Sequence, residues 1–245
     1  MSGSYNNQSW LIKTRKFLSS LFLLLLIAFS LRSLLFEPFH IPSGSMKSSL
    51  LAGDYIFVNK YAYGYSKYSF PFSPNIFKGR IFLTLPKVGD VIVFFKDNIR
   101  YVKRVIGSSG DKVQIINDYL YINDQKVSYK KISDFFDDED NRNIQRYVEA
   151  LPGEKQHEII WDTVVNKLSH NTPPYYVPEG HLFVLGDNRN NSLDSRFAHI
   201  GFVPIENVVG RVSVVAVSFK LGKVNWLPIR VPVGIRVDRI FHSVD

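Results

Sequence analysis

Residues 17–36, FLSSLFLLLLIAFSLRSLLF, constrain this chain more than any other stretch, because twenty positions carry a single charge, Arg32 near the far end. Wound as a helix, twenty residues rise about 30 Å, the thickness of a bilayer's hydrocarbon core. A cleavable leader would follow its apolar run with small residues at the cut site. Here the run continues into LRSLLFEPFH, bulky throughout, so the expectation is a retained transmembrane helix. Lys13, Arg15 and Lys16 precede it without any acid, and the next lysine or arginine beyond Arg32 is Lys47. Basic residues on short flanks stay on the cytoplasmic side. The expected layout is a cytoplasmic tail over 1–16, an anchor over 17–36 and an exported body after that.

The exported body reads as mainly β. Short runs rich in Val, Ile, Tyr and Phe recur at 54–59, 90–95, 100–107, 112–116, 119–123, 181–186 and 211–219. Gly89-Asp90, Gly110-Asp111, Asn123-Asp124 and Gly186-Asp187 punctuate them as turns. No strand–helix–strand rhythm appears, so the expected architecture is an antiparallel β-barrel or sandwich. Residues 37–111 and 181–245 would form this catalytic domain, with 112–180 inserted as a smaller lobe. Within that lobe DFFDDEDNRN reads as a solvated acidic loop, since it lacks the glycine and closing glutamate of a calcium-binding hand. Residues 61–86 interleave aromatics with Lys67, Lys78 and Arg80. They read equally as core plus loop or as a belt dipping into lipid.

Several chemistries are narrowed at once. The chain has no cysteine, which removes disulfides, thiolate metal sites and a thiol nucleophile. Histidines at 40, 157, 170, 181, 199 and 242 show no ligand spacing, so no metal or cofactor is expected. The net charge of +8 suits nucleic acid or anionic lipid. With no nucleic-acid signature in view, lipid is the preferred partner.

Three polar segments remain. The first, FHIPSGSMKSSL, sets serines just beyond the apolar run. Serine is a poor nucleophile near neutral pH and needs a base. The second segment, YVKRVIG, offers one. On a strand Lys103 shares a face with Tyr101 and Val105 while Arg104 points the other way with Val102 and Ile106. A lysine among apolar neighbours loses part of its affinity for a proton, and the neutral amine can take a serine proton. The third segment, GDNRNNSLDSR at 186–196, fails as a calcium loop because its twelfth position from Asp187 is Ala198. It reads as a rigid polar turn held by Asp–Arg pairing, or as a support in which Ser192 hydrogen-bonds the base and Asp187, Asp194 and Arg196 keep the loop in shape.

Taken in order behind an apolar span, these segments resemble the bacterial type I signal peptidase family. The family's marks are an S-G-S-M segment, a K-R-V-I-G-x-x-G-D strand and turn, and a G-D-N-R-x-N-S-x-D-S-R loop. Here they fall at Ser43–Met46, Lys103–Asp111 and Gly186–Arg196. The resemblance implies a Ser–Lys dyad serine endopeptidase, with Ser45 as nucleophile and Lys103 as general base. It implies an oxyanion hole from the Ser43 hydroxyl and the Ser45 N–H, Ser192 as orienter of the lysine, and Asp187, Asp194 and Arg196 as structural supports. Its substrates would be exported preproteins with small residues at −1 and −3, and its location the bacterial inner membrane with the catalytic domain on the periplasmic face. Phe39, Ile41 and Pro42 are the expected pocket residues. The chain departs from the pattern at Ser48, where the family has proline, which should loosen the turn. Ser49 stands for the usual threonine, and Asn190 for the usual aspartate. Two other readings fit parts of the sequence: a LexA-like self-cleaving protein, which would want a DNA-binding segment instead of the apolar run, and a membrane-tethered β module without chemistry.

Overall fold

The protein was analysed as a computed structural model, which describes residues 4–70, 73–75, 77–153, 155–162, 171–224 and 227–244. His170 lies outside the described residues. The chain opens with helix α1, Ser4–Leu34. Side chains in it are described without a break over 12–30, and Phe17, Phe22, Leu24 and Phe29 are each more than half exposed. The near end of that stretch carries Lys13, Arg15 and Lys16. Among the described residues no helix is long and apolar enough to cross a membrane.

Among the described residues everything regular after α1 is strand or a single turn of 3₁₀ helix. Strands β1 (Phe36–His40), β2 (Asp54–Asn59), β3 (Val91–Lys96) and β4 (Ile99–Gly107) belong to the main sheet. The chain then leaves it for β5 (Lys112–Ile116), β6 (Tyr119–Ile122) and β7 (Gln125–Lys126), and for β8 (Ser128–Lys131), β9 (Phe135–Asp137), β10 (Arg142–Ala150) and β11 (Gln156–Trp161). Strand β12 (Tyr175–Tyr176) closes the first of these small sheets by pairing with β5. The return to the main sheet is made by β13 (His181–Leu185), β14 (Val203–Pro204), β15 (Val208–Val224), β16 (Leu227–Ile235) and β17 (His242–Ser243). The main sheet runs β1-β2-β15-β3-β4-β13-β14, with β16 and β17 also paired to β15. Its ladders are all antiparallel, as the missing helical crossovers led us to expect.

The main sheet is buried on both faces. Strand alternation on β3 sends Val91 and Val93 into one apolar cluster and Ile92 and Phe94 into another. On β4 the same alternation gives Val102 to the first cluster and Tyr101 with Val105 to the second. A third cluster, containing Ile106, Val113, Leu120, Phe183 and Leu185, joins the main sheet to the β5–β7 sheet.

The sheet of β8–β11 overturns one sequence expectation. The acidic run is only partly a solvated loop: Asp134, Asp138 and Asp140 are exposed, but Asp137 ends β9 and is buried, and its carboxylate accepts from Lys47 at 2.7 Å. A buried carboxylate needs a partner, and that partner lies 90 residues away in sequence, beyond the reach of local patterning. Residues 61–86 are mixed. Tyr63 is core, Tyr68 stacks on Phe95 at 4.9 Å, and Phe82 stands 82% exposed beside exposed Leu83 and Leu85. Arg80 pins the excursion down by donating to the carbonyls of Tyr63, Gly64, Ile205 and Val208.

Candidate active site

Residues 41–53 form a loop closed at its base by Ile41 N–H to Asp54 O (2.8 Å) and Gly53 N–H to Ile41 O (2.9 Å). Met46 and Leu50 sink into the first apolar cluster. Between them the chain turns tightly, with Lys47 N–H donating to Gly44 O at 3.1 Å and Leu50 N–H to Met46 O at 2.8 Å. Buried Met46 therefore pins a turn whose preceding residue, Ser45, stays partly exposed. Ser48 sits at φ 91°, a conformation that proline, fixed near −65°, does not adopt. A proline at position 48 would not fit this turn as it stands. Ser48 Oγ secures it by donating to the Glu158 carbonyl of β11 at 2.7 Å.

Opposite this turn, Lys103 projects from β4 and is only 3% exposed. Its Nζ donates to Ser45 Oγ at 2.7 Å and to the Val102 carbonyl at 2.9 Å. Burial lowers the Lys103 ammonium from 10.5 to about 8. Asp194 and Asp187 pull the other way, and Arg196 adds a further push down. An amine with a pKa near 8 is neutral in about one molecule in ten at pH 7. The Ser43 hydroxyl lies 3.5 Å from that of Ser45. Among the described residues the Ser45 N–H has no hydrogen-bond partner, so it is available to an incoming oxygen.

The third segment backs this pair. Asn188 donates its N–H to Ser45 O and its Nδ2 to Gly44 O, both at 3.1 Å. Gly186 makes the approach possible: a Cβ there would meet Ser192 Oγ at 2.2 Å and Ser45 O at 2.5 Å. Asp187, fully buried, receives Arg104 Nε at 2.9 Å, Arg104 Nη2 at 2.8 Å and Ser49 Oγ at 2.6 Å. Asp194 receives Arg196 through two bonds, 2.8 and 2.7 Å, and the Gly186 N–H at 3.1 Å. Burial works to raise both carboxyls, but the arginines hold each below the usual aspartate range.

Ser192 departs from expectation. Its buried hydroxyl does not hydrogen-bond Lys103. It neighbours Asp194, yet it lies outside hydrogen-bond geometry with any described group. Its oxygen sits beside Gly186, where an added Cβ would meet it at 2.2 Å. Of the expected pocket residues, Ile41 belongs to the core, Phe39 packs half-buried against the same cluster under the Arg100 guanidinium, and Pro42 is exposed. A cavity of about 330 Å³ lined by Asp90, Arg104, Lys155, His157 and Arg211 lies elsewhere and includes neither Ser45 nor Lys103. Among the described residues no group of His, Asp or Glu could hold a metal ion.

Asn188, Gly186 and Arg104 escaped the sequence reading as functional supports. So did Arg189, which forks onto buried Glu149 of β10, with His157 Nε2 at 3.1 Å from the same carboxylate. Asn188 and Gly186 lie inside a segment already singled out, and the turn-forming character of Asn and Gly was the available signal. Glu149 and Arg189 are 40 residues apart, with no local pattern to join them.

Comparison with known proteins agrees with this arrangement. The family model described as signal peptidase, peptidase S26, matches residues 14–217. A signal peptidase I of Rickettsia conorii is 39% identical over 243 residues, with 89% of this chain and 88% of that protein covered. Those of Rickettsia typhi and Rickettsia akari are both 40% identical, over 238 and 241 residues, again with 89% of this chain covered and with 89% and 88% of those proteins. The match takes in the serine turn, the lysine strand and the 186–196 loop together, and the chain belongs to the signal peptidase family, peptidase S26.

Proposed function

We propose that this protein is a membrane-associated serine endopeptidase that removes N-terminal signal peptides from exported preproteins, using Ser45 as nucleophile and Lys103 as general base. The single observation that carries the dyad is the 2.7 Å bond between a buried lysine amine and a serine hydroxyl on a pinned turn. Proximity and a matched pKa are what acyl transfer asks of a base. Neutral Lys103 takes the Ser45 proton as Oγ attacks the scissile carbonyl. The negative oxygen that develops is met by the Ser43 hydroxyl and the Ser45 N–H. The C–N bond then breaks, the leaving amine takes the proton back from Lys103, and an acyl-serine remains. Lys103 next takes a proton from water as that water attacks the ester, then gives it to Ser45 Oγ as the C–O bond breaks and the acid leaves. Asp187, Asp194 and Arg196 hold the surrounding loop and do not take part in the chemistry.

The anchor expected over 17–36 is supplied by helix α1 only as far as Leu34, since Phe36 already belongs to β1, with 1–16 cytoplasmic and the body outside, in the bacterial inner membrane. The support is the row of exposed apolar side chains on all sides of α1, which water does not favour. Exposed Phe82, Leu83 and Leu85 would rest in the lipid interface. Their loop follows Ile81, which bridges to Tyr65, and Tyr65 Oη in turn donates to the Leu34 carbonyl at the end of α1. The catalytic body takes 37–111 and 181–245, and 112–180 form the smaller lobe. Substrates carry small residues at −1 and −3, admitted beside Phe39 and Pro42, and no metal or cofactor takes part. The test uses detergent-solubilised full-length protein and a preprotein, with the new N-terminus read by mass spectrometry. Cleavage after the signal peptide by the wild type, lost in Ser45→Ala and in Lys103→Ala, is expected. Cleavage by either variant at the wild-type rate overturns the dyad.

A further inference from the structure

The nucleophile turn is held on one side by Met46 in the core and on another by Asn188. A third hold comes from the small lobe, and it centres on Lys47. The Lys47 side chain folds back over Gly44, the residue between Ser43 and Ser45: a Cβ on Gly44 would meet Lys47 Cε at 2.8 Å and Cδ at 3.1 Å. Its ammonium then reaches Asp137 at 2.7 Å and Glu139 at 3.1 Å, all three side chains nearly closed off from water. Glu139 also receives Arg230 of β16 at 2.8 Å. Burial works to lower the Lys47 ammonium, but the two carboxylates outweigh it and hold it above its ordinary value. One residue therefore links the serine turn, the acidic end of β9 and the C-terminal hairpin.

We infer that Lys47 is a positioning residue for the proteolytic reaction: clamped by Asp137 and Glu139, its side chain presses on Gly44 and fixes where Ser43 and Ser45 present their oxygens. The inference rests on the Ser45–Lys103 reading above. Among the described residues Lys47 bonds Asp137, Glu139 and the Gly44 carbonyl and neither Ser45 nor Lys103, so it acts through the geometry of the turn. A small displacement of a nucleophile or an oxyanion donor lowers the chemical rate while leaving ground-state binding nearly unchanged.

The test compares full-length Lys47→Ala, Lys47→Met, Lys47→Arg, Asp137→Asn and Asp138→Asn on one preprotein. Lys47→Met keeps the apolar cover over Gly44 and serves if the alanine variant does not fold. In Lys47→Ala and Asp137→Asn kcat should fall roughly tenfold with KM within about twofold. Lys47→Arg should recover most of the rate. The double variant Lys47→Ala/Asp137→Asn should be no slower than Lys47→Ala alone, as coupled partners require. Asp138, which pairs with Lys220 at the surface, is the control, and its variant should match the wild type. The midpoint of the pH profile should not move, because the base is untouched. Wild-type kcat in folded Lys47→Ala or Lys47→Met, or a loss confined to KM, overturns the inference. If Ser45→Ala and Lys103→Ala stay active, the dyad reading has failed instead, whatever Lys47 does.

Discussion

Lys103 and Arg104 are consecutive on β4 and both are buried, yet the regions around them are built in opposite ways. Around Arg104 every interaction is paired: a two-point contact with Asp187, the Gly89 carbonyl at 2.8 Å and the Ser49 hydroxyl at 3.1 Å. Around Lys103 the direct partners are a hydroxyl and a carbonyl, and the nearest carboxylates act only through space. A buried cation with a carboxylate in contact keeps its charge and fastens the fold. One without such a contact gives up its proton easily, which suits a base. The same strand thus carries two buried cations of different kinds: a guanidinium, which stays charged and is fastened by Asp187, and an ammonium with no carboxylate in contact, whose proton burial loosens.

The sharpest break of this contrast is at the dyad. Ser45→Ala and Lys103→Ala should each lower kcat by about a thousandfold or more while the unfolding transition stays cooperative. Matched loss of activity and structure would place Lys103 with Arg104 as a fastening group. On the other side, Asp187→Ala strands a buried guanidinium and should cost about 3–5 kcal/mol in denaturant unfolding. A loss under about 1 kcal/mol would show that the Arg104 region does not hold the fold. Lys103→Met tests the cost of burying that ammonium. The wild-type amine, with a folded pKa near 8 below its ordinary 10.5, is destabilising below pH 8 and ceases to be as pH climbs through 10.5. The methionine variant should be more stable by about 1–3 kcal/mol near pH 7, with the advantage fading in alkali.

Rate against pH sharpens the same point. With the neutral amine as base, kcat/KM should rise about tenfold between pH 7 and pH 9, with its midpoint near 8. A flat profile would remove Lys103 from the chemistry. The smallest effect is at Asp194, which raises the Lys103 pKa through space. Asp194→Asn removes that pull and leaves Arg196 without its partner, so the midpoint should move to lower pH. A shift upward would mean that another group sets the titration.

Much of the main sheet was legible because its strands are short, apolar and bounded by turns: 54–59 and 112–116 coincide with β2 and β5, and 181–186 overshoots β13 by one residue. The proposed dyad was legible only through the order of three motifs, since a serine in a turn and a lysine on a strand are each commonplace alone; the structure brings the two side chains to 2.7 Å. Strands β8–β11 were not, since their exposed faces carry Lys130, Lys131, Gln145 and Arg146 and blur the alternation that betrays a strand. The supports read least well. Ser192 was assigned to the base on the strength of a motif, while the group that grips the nucleophile's carbonyl is Asn188, four residues earlier. Nothing in the local sequence marks Lys47, whose partners lie 90 and 92 residues on. Hydrogen bonds across such separations leave no trace in local composition.

Only Leu35 stands between the end of α1 and the first residue of β1, and Tyr65 bridges that junction from the side. With α1 as the membrane span, the height of Ser45 above the lipid is set by covalent spacing and not by a swinging tether. Such an enzyme works as a fixed gauge: it cuts where a substrate's own span ends, and inserting a few flexible residues at position 35 should scatter the cut sites before it slows the cutting.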